Sequence, residues 1–333
     1  MQRKYEFKIS SEYAGYTLYD YLKNQMPEYS PNIIKKMFHN HIVILNGQKI
    51  ESFNRVCEND VIRILIPSQH EAEYPSQAPS FDVLFENEQF LVVNKPAGIP
   101  VIPERWVHEH YFKSAVVSHL EKNGESNVEP RIVHRIDKET SGAVLVAKNE
   151  QMERYLAKLF ESHAIEKEYL AIVAGVPADS GRIELPIAQA NKYSTKMVVS
   201  PTGKPAITTY ELVEVLGDFS ILKVKIETGR THQIRVHLAS QGYPLAVDSL
   251  YGYRNAIRLS EIKASYRPKK FEAERPIISR LTLHAHKISF TLPNEEPFSV
   301  EAPLAEDMQV LIKMLRKYRP KRSFSELPST HLS

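Results

Sequence analysis

The sequence is poor in the residues that build disulfide scaffolds, metal clusters and membrane spans. It has one cysteine, Cys57, among 333 residues, which excludes an internal disulfide and a cysteine-rich metal site. Its apolar runs fall well short of the ~20 residues needed to cross a bilayer, and its first residues lack the apolar stretch of a secretory signal. No glycine-rich phosphate loop is present. These absences predict a cytoplasmic globular protein that has no membrane partner and is not nucleotide-dependent.

Positive charge is concentrated in one segment although the net charge is only +3. Between Tyr251 and Arg280 there are eight cations against three glutamates. A second group of lysines and arginines lies at 313–322. Such a local excess suits a polyanion such as RNA, although most charged runs are simply solvated surface.

Composition divides the chain into two predicted domains. Residues 69–80 are rich in proline, serine and charge and have no periodicity, which is typical of a linker. Residues 10–68 predict two helices followed by short strands, with the turn Asn46-Gly47 between two of the strands. Residues 81–318 predict strands with a few helices between them, and hence an α+β domain with a large mixed, mainly antiparallel sheet flanked by helices. Residues 319–333 predict a disordered tail.

The order of elements in 10–68 resembles the small α/β RNA-binding module of ribosomal protein S-four. The paired helices, the segment Val43–Gly47 and Glu58-Asn59-Asp60 before the last strand carry this resemblance. The usual serine-arginine start of the second helix is Ser30-Pro31-Asn32 here, so one expected arginine contact is missing. The alternative is a helix–strand packing domain without a role in RNA binding.

The segment His134–Gly142 holds the acid with the clearest chemical interest. Asp137 lies beside Arg135 and two hydroxyls, between the apolar runs 131–133 and 143–147. A carboxylate in that setting is held by its neighbours rather than by water, which makes Asp137 a candidate nucleophile or general base. The alternative is a structural salt bridge at the junction of a strand and a loop.

Three further features accompany this segment in the second domain. They are the rigid turn Asn94–Pro100 after a strand, Tyr169 at the start of a strand, and Glu227–His237, where a strand breaks at Gly229 and a helix begins. In number, order and residue identity the four features resemble the motifs of the RluA-type family of pseudouridine synthases. Arg280–Ala285 and Asp248–Gly252 fit the same pattern, and the resemblance covers over two-thirds of the chain.

The resemblance implies an isomerase that converts specific uridines of RNA to pseudouridine. That reaction breaks the glycosidic bond, rotates the uracil and rejoins it through carbon, with neither redox change nor group donor, so no cofactor is expected. The implied catalytic residues are Asp137, Tyr169, which stacks on the uracil, and Arg235, which pairs with the aspartate. Whether Asp137 attacks the sugar, attacks the ring or abstracts a sugar proton stays open. The implied substrate-binding residues are Arg135, which fills the space left by the flipped nucleotide, His134, Lys95, Arg230 and Leu283.

Other functions stay open as alternatives. Ribosomal RNA is the first expected substrate and transfer RNA the second, with no obligate protein partner indicated. A non-catalytic RNA-binding or ribosome-assembly protein on the same fold is the main rival. A metal-dependent hydrolase would need the His-x-His pairs as ligands, but no third ligand is spaced with them, so no metal site is expected. These pairs are His39/His41, His108/His110 and His284/His286.

Overall fold

The computed structural model divides the chain into two compact units. The described residues up to 66 belong to the first unit, and those from 80 onward belong to the second. Residues 69–79 of the predicted linker and the predicted tail at 319–333 lie outside the described residues. The structure describes residues 3–27, 29, 34, 37–38, 43–50, 54–66, 80–102, 112–125, 127–191, 194–267 and 273–318.

The first unit is a four-stranded sheet with helical segments packed on it. Its described elements are β1 (Arg3–Lys8), α1 (Leu18–Gln25), β2 (Val43–Leu45), β3 (Gln48–Lys49) and β4 (Val61–Ile66). The strand order is β1-β4-β2-β3, so β1, which precedes the predicted start at residue 10, is part of the sheet.

Local sequence explains these elements. Thr17 caps α1 by accepting a hydrogen bond from the backbone of Asp20. The predicted turn is confirmed, because Asn46 and Gly47 both have positive φ, at 49° and 83°, as a two-residue hairpin requires. Of the second predicted helix, Ile34, Met37 and Phe38 are described, and they are buried in the core of this unit.

The second unit is a ten-stranded sheet with helices on both faces. The strand order is β10-β13-β14-β9-β15-β8-β6-β5, with β16 paired to β15 and β7 paired to β8. Only the β15–β8 pair is parallel among the described strands. This arrangement confirms the predicted fold class. The ten strands are β5 (Asp82–Glu86), β6 (Phe90–Lys95), β7 (Arg131–Ile132), β8 (Ser141–Ala147), β9 (Glu166–Ala174), β10 (Ser180–Glu184), β13 (Ile207–Leu216), β14 (Phe219–Ile226), β15 (Leu283–Thr291) and β16 (Pro297–Glu301). Two further strands, β11 (Ile187–Gln189) and β12 (Met197–Val199), form a separate two-stranded sheet.

Helices cover the sheet because its central strands are apolar on both sides. Every residue of β8 is buried, with Val144 and Val146 in the core on one face and Ala143 and Leu145 in the core on the other. A strand buried on both faces is a continuous apolar run rather than an alternating one. None of the helices in the described part is both long and apolar enough to cross a bilayer. The helices are α2 (Phe112–Lys122), α3 (Glu150–Glu161), α4 (Gln233–Ser240), α5 (Leu259–Ile262) and α6 (Glu306–Tyr318).

The parallel pair β15–β8 brings the His134–Gly142 segment to the middle of the sheet. Ser141 and Gly142 pair with His284 and Ala285. Gly142 has φ +113°, and a Cβ placed on it would lie 2.2 Å from the backbone oxygen of Ala285. No residue with a side chain fits that approach, which explains the glycine. The loop that carries Asp137 therefore enters the sheet beside the first residues of β15.

Candidate active site

Six of the eight predicted site residues meet in one cleft. The cleft lies where the loop before β8, the strands β9 and β15 and the turn before α4 come together, and it encloses about 560 Å³ counted out to its open mouth. The six residues are Asp137, Tyr169, Arg235, Arg135, Arg230 and Leu283.

Arg235 stands between two carboxylates. Its Nη1 donates to Asp137 Oδ2 at 2.9 Å, while Nε and Nη2 donate to the two oxygens of Asp248 at 2.7 and 2.9 Å. The exposed fractions of the side chains are 8% for Arg235, 18% for Asp137 and 0% for Asp248. Asp248 therefore fixes the plane of the guanidinium, and Arg235 in turn orients Asp137 at the cleft. The second oxygen of Asp137, Oδ1, accepts a hydrogen bond from no described group.

The electrostatics of this triad keep Arg235 and Asp248 charged. Burial by itself would raise the pKa of Asp248, but the hydrogen bonds and charge of Arg235, together with the backbone N–H groups of Leu250 and Tyr251, lower it below its usual value. Burial by itself would lower the pKa of Arg235, but the two carboxylates raise it above its usual value. Asp137 thus faces a permanent cation.

Tyr251 supports Arg235 from the side. The guanidinium carbon lies 5.0 Å from the centre of the Tyr251 ring, within cation–π range. The Tyr251 hydroxyl accepts a hydrogen bond from the backbone of Met197 at 2.7 Å and lies 2.9 Å from Nδ1 of His232. Burial lowers the pKa of His232, which favours the neutral ring.

A buried glutamine holds the turn from β14 into α4. Gln233 Oε1 accepts from Thr228 Oγ1 at 2.7 Å and from the backbone of Arg230 at 3.0 Å. Its Nε2 donates to the carbonyl of Ile207 and to Thr208 Oγ1. Every polar atom of this side chain is thus used, which fixes the backbone from which Arg235 projects.

Tyr169 and Leu283 form an apolar wall of the cleft. Both side chains are buried in the core shared by β9 and β15. Burial, followed by the charge of Asp137, raises the pKa of Tyr169, so this side chain stays a neutral phenol. Arg135 is exposed at the cleft, and Arg230 Nε donates to the carbonyl of Pro205 at 3.0 Å.

His134 does not line the cleft. Its Nε2 accepts the backbone N–H of Leu145 at 2.9 Å, and its ring stacks on Phe160 with centroids 5.0 Å apart. Burial lowers the pKa of His134 to about 3, so the ring is neutral. Arg135, the next residue, lines the cleft, whereas His134 packs against Leu145 and Phe160. Contact with the substrate was predicted for His134, and its observed contacts are structural.

Lys95 does not line the cleft either. It is fully buried, and its Nζ donates to the carbonyls of Pro96, Ile99 and Lys138 at 2.8, 2.9 and 3.0 Å. Burial lowers the pKa of Lys95 to about 7, while three carbonyl acceptors favour the ammonium form. The side chain therefore ties the turn after β6 to the loop that carries Asp137. The predicted contact of Lys95 with substrate stays a prediction.

The positive charge of the Tyr251–Arg280 segment is partly neutralised. Arg280 has a side chain only 9% exposed and binds Asp307 through two nitrogens. Arg254 and Arg258 both lie within 4.0 Å of Glu261, at 3.7 and 3.9 Å. Arg280 is therefore largely buried and engaged by Asp307.

The described histidines form no metal site. Among the part of the chain that the structure describes, no group of three or more potential metal ligands is found. His284 and His286 both contact the carbonyl of Ala302, and His284 Nδ1 lies 2.9 Å from Ser141 Oγ. The other two pairs, His39/His41 and His108/His110, lie outside the described residues.

Sequence reasoning missed the residues that support the predicted catalytic residues. Asp248 and Tyr251 belong to the motif Asp248–Gly252, to which the sequence analysis assigned no role. The signal that could have identified them was the acid of that motif, Asp248, because an aspartate that is buried requires a cationic partner.

Comparison with known proteins agrees with the fold and the motifs. The sequence profile described as RNA pseudouridylate synthase matches residues 89–240. An uncharacterized RNA pseudouridine synthase of Chlorobaculum parvum is 34% identical over 89% of this chain and 93% of its own. The ribosomal large subunit pseudouridine synthase D of Haemophilus ducreyi is 32% identical over 93% of this chain and 94% of its own.

Solved structures share the fold. Human RNA pseudouridylate synthase domain containing 4 matches with a TM-score of 0.56 and 23% identity, covering 71% of this chain and 93% of that one. Human RNA pseudouridylate synthase domain containing 1 matches with a TM-score of 0.51 and 22% identity, covering 73% and 97%. With relatives above 30% identity along nearly the whole sequence, the chain belongs to the RNA pseudouridylate synthase family and is an isomerase.

Proposed function

We propose that this protein isomerises specific uridines of ribosomal RNA and that Asp137 is its catalytic carboxylate. The observation that carries the proposal is the Asp248–Arg235–Asp137 triad, which presents a charged and oriented carboxylate in a cleft walled by Tyr169. The relative from Haemophilus ducreyi is named for the large ribosomal subunit, which supports ribosomal RNA over transfer RNA as the substrate.

The chemistry needs one carboxylate that makes and then breaks a bond. Asp137 acts on the nucleotide through Oδ1, while Arg235 holds Oδ2 and stabilises the anion that is restored at the end of the cycle. The freed uracil rotates against the Tyr169 ring and rejoins the sugar through C5. The proton on C5 is then lost and N1 takes one up, so the overall change is an isomerisation. Because the isomerisation is redox-neutral and transfers no group to or from a second molecule, we propose that it needs no cofactor.

A uridine inside an RNA helix reaches Asp137 only when it leaves its stack. Arg135, which is exposed at the cleft, is suited to fill the vacated position. We assign the flanking RNA to an S-four-like module at 10–68, where helical segments pack on a small sheet, and to the exposed cations of the second unit. Binding should then weaken steeply with salt. The cytoplasmic location and the lack of an obligate protein partner stay predictions.

Pseudouridine mapping of cellular RNA tests the function. Total RNA from cells with and without the gene is compared by chemical modification and reverse transcription. We expect at least one ribosomal site to disappear and to return with the wild-type gene but not with Asp137→Ala. Asp179→Ala, an exposed aspartate outside the cleft, is the matched control and should restore the site.

Each alternative gives a different map. A lost site in transfer RNA would move the substrate to the second candidate. Restoration by Asp137→Ala would refute the assigned carboxylate. An unchanged map together with RNA binding that survives Asp137→Asn would favour a non-catalytic RNA-binding protein.

A further inference from the structure

Thr140 carries the one buried side-chain polar atom without a hydrogen-bond partner among the described residues. Its side chain is 1% exposed, its Oγ1 has no partner, and the residue lines the same cleft as Asp137. A buried hydroxyl has lost its bonds to water, so leaving it unpaired is unfavourable. We therefore expect this hydroxyl to gain its hydrogen-bond partner in another state of the enzyme.

The hydroxyl cannot gain a partner through a shift of its own loop. The backbone N–H of Thr140 donates to the carbonyl of Asp137 at 3.0 Å, and the carbonyl of Lys138 accepts from both Lys95 Nζ and the Gly98 backbone. Threonine is also stiff about χ1 because it is branched at Cβ. The partner must therefore move to Thr140.

Other buried hydroxyls of this unit are satisfied. Ser141 Oγ, one residue later, lies 2.9 Å from His284 Nδ1. Thr228 Oγ1 donates to Gln233, and Thr282 Oγ1 donates to the carbonyl of Ile172. Among the buried hydroxyls of the described residues, only that of Thr140, three residues after Asp137, therefore lacks a hydrogen-bond partner.

The carboxylate of Asp137 is an acceptor carried by the same turn. In the free enzyme one of its oxygens is bound to Arg235, and the other accepts from no described group. Whichever bond Asp137 makes in the reaction, to a carbon or to a proton, its carboxylate gives up negative charge and its hold on Arg235 weakens. A carboxylate has about four acceptor sites, so a second donor is compatible with the first.

We propose that Thr140 is a positioning residue whose Oγ1–H donates to the Asp137 carboxylate when substrate is bound. The hydroxyl then holds the carboxylate in the orientation that faces the nucleotide while the hydrogen bond from Arg235 to the carboxylate is weakened. This inference rests on the proposed catalytic role of Asp137. It gives the threonine of the His134–Gly142 segment a function distinct from that of the Ser141 hydroxyl, which bonds His284.

The test compares Thr140→Val, which keeps the shape and removes the hydroxyl, with Thr140→Ser, which keeps the hydroxyl. Activity is measured as release of tritium from C5-labelled uridine in ribosomal RNA made without the gene, and stability as Tm. Thr140→Val should lower kcat by about tenfold, as expected for one lost hydrogen bond, with KM unchanged. Its Tm should stay the same or rise, because an unsatisfied buried hydroxyl has gone. Thr140→Ser should stay within about twofold of the wild-type kcat.

Thr282→Val is the matched control for stability. Its hydroxyl donates to the carbonyl of Ile172 at 2.8 Å and accepts from the backbone of Val247 at 3.3 Å, so its loss should lower Tm. A fall in Tm for Thr140→Val of the same size would mean that Thr140 has a structural partner in the free enzyme, and would overturn the proposal.

The remaining outcomes separate this inference from the proposed function. Thr140→Val with wild-type kcat, measured beside an inactive Asp137→Ala, would overturn the role of Thr140 and leave that of Asp137 standing. A Thr140→Ser variant as slow as Thr140→Val would assign the effect to the methyl group and also overturn it. An active Asp137→Ala would overturn both.

Discussion

The two aspartates that share Arg235 should differ sharply in what they contribute to stability. Asp248 is fully buried and receives two guanidinium hydrogen bonds, whereas Asp137 is 18% exposed and receives one. Asp248→Asn keeps the shape but places an amide N–H₂ among the N–H donors of Arg235. The buried cation then loses its principal partner.

The magnitude follows from burial. Removing one partner of a buried ion pair costs about 3–5 kcal/mol, and each kcal/mol shifts Tm by roughly 2–4 °C in a domain of this size. Asp248→Asn should therefore lower Tm by about 6–20 °C. Asp137→Asn leaves the Arg235–Asp248 pair intact and removes a single bond, so it should cost about 1 kcal/mol, or roughly 2–4 °C.

Thermal and urea unfolding followed by circular dichroism at pH 7 measure this difference, and tritium release measures activity beside it. The expected order of stability is wild type, then Asp137→Asn, then Asp248→Asn. The order of activity should differ, with Asp137→Asn inactive and Asp248→Asn slowed. Equal losses of stability in the two variants would refute the view that Asp248 anchors Arg235 and Asp137 does not.

Two further predictions concern the strand crossing and the buried histidines. Gly142→Ala should cost about 4 kcal/mol or more in urea unfolding, because its Cβ would meet the Ala285 oxygen at 2.2 Å. Gly98→Ala, at φ +87° with nothing within 4 Å, should cost only about 1–2 kcal/mol, and equal costs would contradict the close approach. Burial lowers the pKa of His134 from 6.5 to about 3 and that of His284 to about 4, so the unfolded chain takes up protons first as pH falls. The contribution of these two histidines to stability should be complete above pH 6.5 and should be lost as the pH falls toward 4. His284→Asn should reduce that slope, and an unchanged slope would show that His284 does not contribute to it.

Regular patterns were sufficient for the elements with a strong periodic or apolar signature. The strand predicted at Tyr169 is β9, at Glu166–Ala174, and the helix predicted after the break at Gly229 is α4, at Gln233–Ser240. The strands β10 to β12 and the helix α2 were missed. β10 has one buried residue in five, so its sequence carries no alternation to detect.

The chemistry of the site could be predicted in part from the sequence. The motifs around Asp137 and Arg235 lie 98 residues apart, and only their resemblance to a family joined them before the fold was known. The motif around Asp137 also contains His134, and the turn Asn94–Pro100 contains Lys95. Both residue types suggest contact with substrate, but both side chains make their contacts outside the cleft, and a motif does not specify where its side chains point.

Amino-acid types and their spacing decide which side chains are able to act, because periodicity, turn residues and chemical groups are local properties. They do not decide which of these side chains lie in contact with one another. Three features depend on distances between segments that are far apart in the chain. They are the Asp248–Arg235–Asp137 triad, the contact between His232 and Tyr251, and the unpaired Thr140 hydroxyl. Those distances are set by how β8, β9 and β15 pair and by what their burial excludes, so only the folded chain determines them.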